Sequence, residues 1–173
     1  MAQLFAESLI RDVPDFPKPG IMFKDIHPVL QSPQALREVC DLLTEDAKSR
    51  GAEVIVGIES RGFIFGVPIA LNLDLPFVLT RKVGKLPYDK IQEEYSLEYG
   101  TNTIEMHTDA ISPGQRCSIV DDLLATGGTA AAAAKLVERL NGQVAGFGFM
   151  VELEFLDGRQ NLPGYNIHAL LKY

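Results

Sequence analysis

Residues 116–129, which read RCSIVDDLLATGGT, constrain the fold more than any other stretch of the chain. The run 117–120 is apolar and carries two β-branched side chains, a pattern typical of a fully buried strand. Two aspartates follow, then a turn with two glycines, then an alanine-rich segment that predicts a helix over residues 130–140. A buried strand that passes through a glycine turn into a helix is typical of an α/β protein with a parallel sheet.

The same stretch has the chemistry of a binding edge for a phosphorylated sugar. The first amides of a helix lack partners and lie at the positive end of its dipole, so they favour an anion. Glycines let backbone amides approach a phosphate closely. Asp121 and Asp122 cannot face that phosphate, but their carboxylates suit the hydroxyls of a sugar attached to it. The alternative is a plain strand–helix unit with a solvated strand end.

The rest of the chain repeats the alternation of strands and helices. Ser32 and Pro33 are typical of a helix start, and Gly51 is typical of the residue after its end. Further strands are predicted at 53–58, 75–80, 143–153 and 167–171, and a further helix at 62–73. This order predicts parallel strands with right-handed crossovers. The 173 residues, 46% of them hydrophobic, suffice for a single domain over 1–173.

Cations follow two of the predicted strands. The turn from Gly57 to Gly62 has the glycine spacing of a nucleotide P-loop, but Phe63 stands where that motif requires lysine, so we reject a P-loop. Arg61 nevertheless lies near a helix start and suits a second anion. Arg81, Lys82 and Lys85 follow the next strand, and with Arg61 they predict an anion clamp. The alternatives are an arginine paired with a surface acid and a solvated basic loop.

Segments 93–100 and 101–108 alternate polar and apolar residues and predict an antiparallel hairpin. We expect this hairpin to project from the parallel sheet as a lid.

Charge and cysteine usage exclude several classes of protein. The net charge of −7 argues against nucleic-acid binding, which requires a basic face. No apolar run is long enough for a membrane span, and no signal peptide is visible at the N-terminus. Cys40 and Cys117 lie far apart without a metal-binding pattern, which predicts a reduced, cytoplasmic protein.

Residues 116–129 resemble the 5-phosphoribosyl pyrophosphate (PRPP) signature of the type I phosphoribosyltransferases. Four motifs occur in that family's order between Phe16 and about Leu170, and VDDLLATGGT and YSLEYG are most similar to its adenine-using branch. The resemblance implies a central, mainly parallel sheet flanked by helices. It also implies a small N-terminal hood at about 12–30 and a flexible hairpin lid at about 85–108. The implied reaction is Mg²⁺-dependent transfer of 5-phosphoribosyl from PRPP to adenine, giving AMP and pyrophosphate for purine salvage.

The resemblance also assigns site residues. Asp121 and Asp122 bind the ribose hydroxyls, and the 5′-phosphate is bound by Ala125, Thr126, Gly127, Gly128 and Thr129. The pyrophosphate is bound by Glu59, Ser60, Arg61, Arg81, Lys82 and Lys85, with a cis peptide expected between Glu59 and Ser60. Adenine is bound by Met22, Phe23, Lys24 and Tyr99. Glu98, with Asp121 and Asp122, is catalytic, and its expected role is general acid/base.

The implied cofactor is Mg²⁺ carried on PRPP, without direct ligation by a side chain. The implied assembly is a homodimer, in which part of the 81–85 segment reaches phosphates across the interface. Lys24 departs mildly from the family, which often has arginine there, and Glu59 stands where relatives often have aspartate. Two other functions stay open, a 6-oxopurine or xanthine phosphoribosyltransferase and a PRPP-binding regulator without catalysis.

Overall fold

The computed structural model describes residues 3–16, 18–96 and 101–173. The chain forms two compact units, residues 1–42 and 43–173. Helix α2 (Pro33–Ser49) belongs in part to each. It starts as predicted, because the Ala35 amide donates to Ser32 Oγ at 3.3 Å.

The first unit is a small hairpin followed by helices. Its elements are a 3-10 turn (Ala6–Leu9), β1 (Arg11–Pro14), β2 (Met22–Asp25), α1 (His27–Gln31) and the first part of α2. Strands β1 and β2 pair antiparallel in a sheet of their own, with Val13 opposite Phe23. The carboxylate of Glu38 in α2 accepts the amides of Phe5 and Ala6 at 3.1 and 2.8 Å, which ties the N-terminal segment to this unit.

The second unit is a seven-stranded sheet with helices packed on it. Its strands are β3 (Val54–Ile58), β4 (Phe77–Lys82), β5 (Lys90–Ser96), β6 (Thr101–His107), β7 (Arg116–Leu124), β8 (Gln143–Glu152) and β9 (Ile167–Lys172). Its helices are α3 (Gly62–Leu73) and α4 (Gly128–Arg139), and 3-10 turns lie at Glu154–Leu156 and Gly158–Asn161. The strand order is β5-β6-β4-β3-β7-β8-β9, and β4, β3, β7, β8 and β9 are parallel neighbours.

The core lies on the central strands. All five residues of β3 are buried. Val54, Val56 and Ile58 pack in one apolar cluster with the alanines and Val137 of α4, whereas α3 packs against β3, β4 and β7. Because alternate residues of a strand face opposite sides, the apolar run of β3 serves both packing surfaces. Neither Cys40 nor Cys117 forms a disulfide, and burial raises their thiol pKa values to about 11 and about 12. Within the described residues, no helix combines the length and the apolar character that a membrane crossing requires.

Strand β7 corrects one prediction. The sequence pattern places the two aspartates after the end of a strand at 117–120, but β7 continues through them to Leu124. Asp121 pairs with Phe149 and Leu123 with Val151 in the neighbouring strand β8. The long ladder with β8 extends the strand, so the acids project from ordered backbone and not from a loop.

The hairpin β5–β6 forms where predicted. Its base joins the sheet, because β6 pairs antiparallel with β4 through Arg81 opposite Glu105 and Lys82 opposite Ile104, and the β5–β6 pairing continues beyond these residues to Ser96 opposite Thr101. Ile104 and Met106 are buried in the central apolar cluster, which holds β6 against the sheet. A lid motion of this hairpin stays a prediction.

Candidate active site

Three loops meet at one edge of the sheet because they follow neighbouring parallel strands. The turn Glu59–Arg61 follows β3, the basic loop (Arg81–Lys85) ends β4, and the glycine loop (Ala125–Thr129) follows β7. The carboxyl ends of parallel strands are the usual binding edge of an α/β sheet. The fold therefore brings together the motifs that the sequence predicts as one site.

The two aspartates link these loops. Asp122 is 4% exposed, and its Oδ2 lies 2.8 Å from Arg61 Nε across the β3–β7 boundary. Asp121 Oδ1 accepts the amide of Asp122 at 2.9 Å. Burial and the neighbouring charge of Asp122 raise the pKa of Asp121 well above its usual range. Asp122, one of the two acids predicted to bind ribose, is thus in direct contact with Arg61, the arginine predicted to bind pyrophosphate.

The turn after β3 contains the predicted cis peptide bond between Glu59 and Ser60. The Glu59 carboxylate pairs with Arg81 Nη2 at 3.1 Å and accepts the amide of Lys82 at 2.8 Å. Burial acts to raise the pKa of Glu59, but the hydrogen bonds from Lys82 and Arg81 outweigh it and hold the pKa below its usual value. Glu59 therefore anchors the start of the basic loop.

A second carboxylate anchors the other end of that loop. Glu105 in β6 is fully buried, and its Oε1 accepts the amides of Lys85 at 2.9 Å and Leu86 at 2.7 Å. Its Oε2 lies 3.5 Å from Lys90 Nζ. Burial acts to raise the pKa of Glu105, but hydrogen bonds from the loop amides hold it below its usual value. The sequence analysis missed Glu105, since a charge between Ile104 and Met106 is typical of the solvent face of a strand.

The lysines of the basic loop remain available. The side chains of Lys82 and Lys85 are exposed and form no ion pair with the part of the chain that the structure describes. Arg81 closes the loop by donating from Nη1 to the Lys85 carbonyl at 3.3 Å. The loop backbone is therefore fixed while two ammonium groups face solvent.

The glycine loop surrounds a cavity of about 70 Å³. The cavity is lined by Asp121, Leu124, residues 125–129 and Phe149. Gly127 begins α4 with a φ of 79°, a left-handed conformation that disfavours residues with a side chain. It has no side chain with which to cap the helix, so the first amides of α4 remain donors for an anion.

Residues beyond β8 support the glycine loop, and the sequence analysis missed them. Asn161 Nδ2 donates to the Thr126 carbonyl at 2.7 Å. A Cβ atom on Gly127 would overlap the carbonyl oxygen of Gly158. The sequence gives no signal for these contacts, because about thirty residues separate the partners and no periodic pattern connects them.

The remaining predicted residues belong to the first unit or lie outside the described residues. Met22, Phe23 and Lys24 form β2 of the first unit, where Lys24 Nζ lies 2.6 Å from Asp12 Oδ1. Glu98 and Tyr99 lie outside the described residues. The roles of these five residues stay predictions. Among the described residues, no group of three or more His, Cys, Asp or Glu side chains is arranged to hold a metal ion.

Comparison with known proteins identifies the family. A family model described as phosphoribosyl transferase domain matches residues 26–157. The adenine phosphoribosyltransferase of Gloeobacter violaceus is 58% identical over 165 residues, which cover 95% of this chain and 96% of that protein.

Solved structures agree with this result. The crystal structure of adenine phosphoribosyltransferase from Thermoanaerobacter pseudethanolicus has a TM-score of 0.94 and 50% identity, covering 97% of this chain and 98% of that chain. The Saccharomyces cerevisiae enzyme, complexed with an imino-altritol bisphosphate and adenine, has a TM-score of 0.90 and 39% identity, covering 96% of each chain.

The matched family range contains the turn after β3, the basic loop and the glycine loop. The predicted type I phosphoribosyltransferase fold is confirmed. The chain belongs to the phosphoribosyl transferase family and, within it, to the adenine phosphoribosyltransferases.

Proposed function

We propose that this chain transfers the 5-phosphoribosyl group of PRPP to adenine, giving AMP and pyrophosphate in purine salvage. The observation that carries the proposal is the 2.8 Å contact between Arg61 and Asp122. It joins a sugar-binding pair of acids to a cationic turn, at the edge where the glycine loop presents amides. A sugar that carries one phosphate on C5 and a pyrophosphate on C1 matches these three parts.

The acids serve the ribose. Substitution at the sugar C1 passes through a state with positive charge on the ring, as in glycoside hydrolysis. Asp121 and Asp122 accept the ribose hydroxyls and place negative potential beside that charge. Burial and the charge of Asp122 raise the pKa of Asp121 and so disfavour its ionised form when no ligand is bound. Charge that develops on the ring in the transition state favours that ionised form.

The cations serve the leaving group. Negative charge grows on the pyrophosphate as its bond to C1 breaks. Arg61, Arg81, Lys82 and Lys85 would stabilise that charge, with Ser60 contributing a hydroxyl. Glu59 cannot bind an anion through its carboxylate, and its contacts with Arg81 and Lys82 support a positioning role.

The glycine loop, Ala125–Thr129, would bind the 5′-phosphate through backbone amides. Its cavity of about 70 Å³ has room for a group of this kind. Because the same phosphate is present in PRPP and AMP, this contact positions the ribose for the reaction in both directions.

We propose that Mg²⁺ would enter with PRPP, without direct ligation by a side chain of this protein. Asp122 is paired with Arg61, and Asp121 accepts an amide, so both carboxylates already have partners. This arrangement fits a cation that keeps much of its hydration and is bound mainly by its substrate. When bound, Mg²⁺ would neutralise part of the pyrophosphate charge.

The base would be read by the hood and by the segment at 97–100. Strand β2 pairs only with β1 among the described residues, so its other edge offers main-chain donors and acceptors. Met22 is 45% exposed and carries no hydrogen-bonding pair, so Met22 and Phe23 suit contact with a ring face. The assignments of Lys24, Tyr99 and Glu98, the last as general acid/base, rest on the sequence resemblance.

We further propose a homodimer formed through α3. The helix carries apolar side chains on all sides, which is typical of a helix covered all round. Yet Ile64, Val67 and Leu71 lie on one exposed face, with Leu71 76% exposed. A second copy of the chain would cover this face. Sedimentation velocity should show a dimer that Leu71→Glu dissociates and that Phe155→Glu, a change at another exposed apolar residue, leaves intact. A monomeric wild type would contradict the proposal.

The cytoplasm is the proposed location, since the buried thiols Cys40 and Cys117 suit a reducing compartment. The proposed partners are adenine, PRPP, AMP and pyrophosphate, without nucleic acid or membrane.

Pyrophosphate release, measured base by base with PRPP and Mg²⁺, tests the function. Adenine should support turnover, whereas hypoxanthine, guanine and xanthine should support little. Each buried donor or acceptor that a wrong base leaves unpaired should weaken the binding free energy by about 1–3 kcal/mol. Met22→Leu should keep the adenine preference, since main-chain groups carry it. Equal kcat/KM for hypoxanthine and adenine would contradict the proposal.

A further inference from the structure

We propose that the 3-10 turn Gly158–Asn161, here called the C-terminal turn, positions the glycine loop for the 5′-phosphate. Gly158 and Asn161 are its contact residues, and the ion pair between Arg159 and Glu152 is its anchor. The inference rests on the proposed function, because it assigns the glycine loop to the phosphate of PRPP. The turn lies beyond the range 26–157 that the family model matches.

The first observation is a close backbone contact. A Cβ on Gly158 would overlap the carbonyl oxygen of Ala125, and a Cβ on Gly127 would overlap the carbonyl oxygen of Gly158. Two glycines on separate segments therefore meet where neither has room for a side chain. This contact fixes the distance between the glycine loop and the C-terminal turn.

The second observation is a hydrogen bond that sets the direction of a peptide group. Asn161 Nδ2 donates to the Thr126 carbonyl at 2.7 Å. In a trans peptide the carbonyl and the following amide point in opposite directions. A Thr126 carbonyl held toward the turn therefore directs the Gly127 amide away from it. The Ala125 carbonyl also faces the turn, so the Thr126 amide is directed in the same way.

The third observation is a rigid anchor. Arg159 forms a two-pronged ion pair with Glu152, the last residue of β8, with N–O distances of 2.6 and 2.7 Å. The Glu152 side chain is 4% exposed, and the Arg159 hydrogen bond holds its pKa below the usual value. A bidentate pair with a buried carboxylate defines orientation as well as distance. The C-terminal turn is thereby fixed to the end of a core strand.

These contacts should strengthen phosphate binding by the amides of the glycine loop. Amides that already point away from the turn need no reorganisation when a phosphate arrives, so they bind it more tightly than a free glycine segment would. The effect should be confined to ligands that carry the 5′-phosphate.

The test compares two ligands by calorimetry, ribose 5-phosphate and pyrophosphate with Mg²⁺. Asn161→Ala should weaken ribose 5-phosphate binding by about three- to tenfold, since it removes one hydrogen bond. Asn161→Asp, which keeps the shape but cannot donate, should weaken it at least as much. Both variants should raise KM for PRPP with little change in kcat and leave pyrophosphate affinity unchanged. Gly158→Ala should have a larger effect, of roughly ten- to hundredfold, because the loop must move.

Gln160→Ala is the matched control, because Gln160 lies in the same turn with an exposed side chain, and the described side-chain contact from this turn to the glycine loop is made by Asn161. It should leave both affinities at the wild-type value. Unchanged ribose 5-phosphate affinity in both Asn161 variants would overturn the inference, and so would equal weakening of the two ligands. If wild-type protein released no pyrophosphate with adenine and PRPP, the proposed function would fail, whereas a failure of the Asn161 prediction alone leaves that function standing.

Discussion

The glycine loop and the basic loop lie on either side of the turn after β3, and they are built in opposite ways. In the glycine loop, Gly127 has a φ of 79° and its Cα faces the carbonyl of Gly158, with no room for a side chain. In the basic loop, Gly84 has a similar φ of 84°, but nothing lies within 4 Å of the position its Cβ would take. The backbone of the glycine loop is closely packed. The backbone of the basic loop is held by Glu59 and Glu105, and its lysine side chains are exposed.

This difference suits the two ends of PRPP as we propose that they bind, with the 5′-phosphate at the glycine loop and the pyrophosphate at the basic loop. The 5′-phosphate is bound in substrate and product alike, and fixed amides hold such a group without reorganisation. The pyrophosphate must be released, and long lysine side chains bind it as separate point charges that can part from it. We therefore expect backbone amides to bind the phosphate that stays on the sugar and side-chain charges to bind the pyrophosphate that leaves.

The largest expected effect concerns the acids between the two loops. Asp121→Asn and Asp122→Asn should each lower kcat/KM by about 10²- to 10³-fold, because an amide keeps the shape but not the charge beside the ribose. Initial rates over a range of PRPP concentrations check this. Full activity in both variants would remove the ribose assignment.

The same two variants should differ in stability. The folded pKa of Asp121 is raised, so ionisation destabilises the folded state once the pH exceeds the unfolded pKa of about 4. Asp121→Asn should therefore increase the free energy of unfolding at neutral pH, and the gain should vanish below about pH 4. Asp122→Asn loses its pair with the half-exposed Arg61 and should decrease it by about 1 kcal/mol. Urea denaturation at both pH values measures the two changes.

The next effect concerns the stability contributed by Glu105, which anchors the basic loop. Glu105→Gln should lower the free energy of unfolding by about 3 kcal/mol at pH 7, because a buried, charged acceptor of the Lys85 and Leu86 amides is lost. The folded pKa of Glu105 is lowered, so its contribution is present above the unfolded pKa of about 4.3 and disappears as the pH falls through the folded pKa.

Glu94→Gln is the control, since Glu94 is an exposed strand carboxylate with a hydrogen bond only to Thr101 at 3.3 Å among the described contacts. It should change stability by less than about 0.5 kcal/mol. Equal losses in the two variants would show that the amide contacts of Glu105 contribute nothing specific.

Packing of the glycine loop gives a smaller effect. Gly127→Ala should weaken ribose 5-phosphate binding by roughly thirtyfold, or about 2 kcal/mol, from left-handed strain and overlap with Gly158. Gly114→Ala separates the two causes, because Gly114 has a φ of 81° with nothing within 4 Å of its added Cβ. That variant should lose stability but bind ribose 5-phosphate normally. A normal affinity in Gly127→Ala would show that the loop adapts.

The smallest effect is expected at the lysines. Lys82→Ala and Lys85→Ala should each lower kcat/KM for PRPP by about fivefold, since one exposed charge contributes about 1 kcal/mol to anion binding. The loss should shrink between about 0.05 and about 0.5 M salt, because exposed charges are screened. A loss that does not depend on salt would contradict binding through exposed charge.

The glycine loop and the alternation of strands and helices were predictable, because they follow from local pattern. The strand, glycine turn and alanine-rich helix lie in one continuous stretch at 117–140. The start of α2 is also marked locally, by Ser32 directly before the helix. The resemblance to a known family added the cis peptide at Glu59–Ser60, which no local pattern indicates.

The supports of the site were not predictable, because their partners meet only in the folded chain. Glu105 is separated by about twenty residues from the amides it accepts, and its neighbours Ile104 and Met106 give the pattern of a solvent-facing charge. Likewise the contact of Asn161 with Thr126 spans 35 residues. The continuation of β7 through Asp121 and Asp122 depends on pairing with β8, which the run of residues 117–120 does not encode.

One calorimetric experiment tests the division of PRPP binding between the two loops most directly. Ribose 5-phosphate and pyrophosphate with Mg²⁺ are each titrated into Gly127→Ala and into the double variant Lys82→Ala/Lys85→Ala. Gly127→Ala should weaken only ribose 5-phosphate, and the double lysine variant should weaken only pyrophosphate. If either variant weakened both ligands to the same extent, the two loops would not be separate binding sites for the two ends of PRPP.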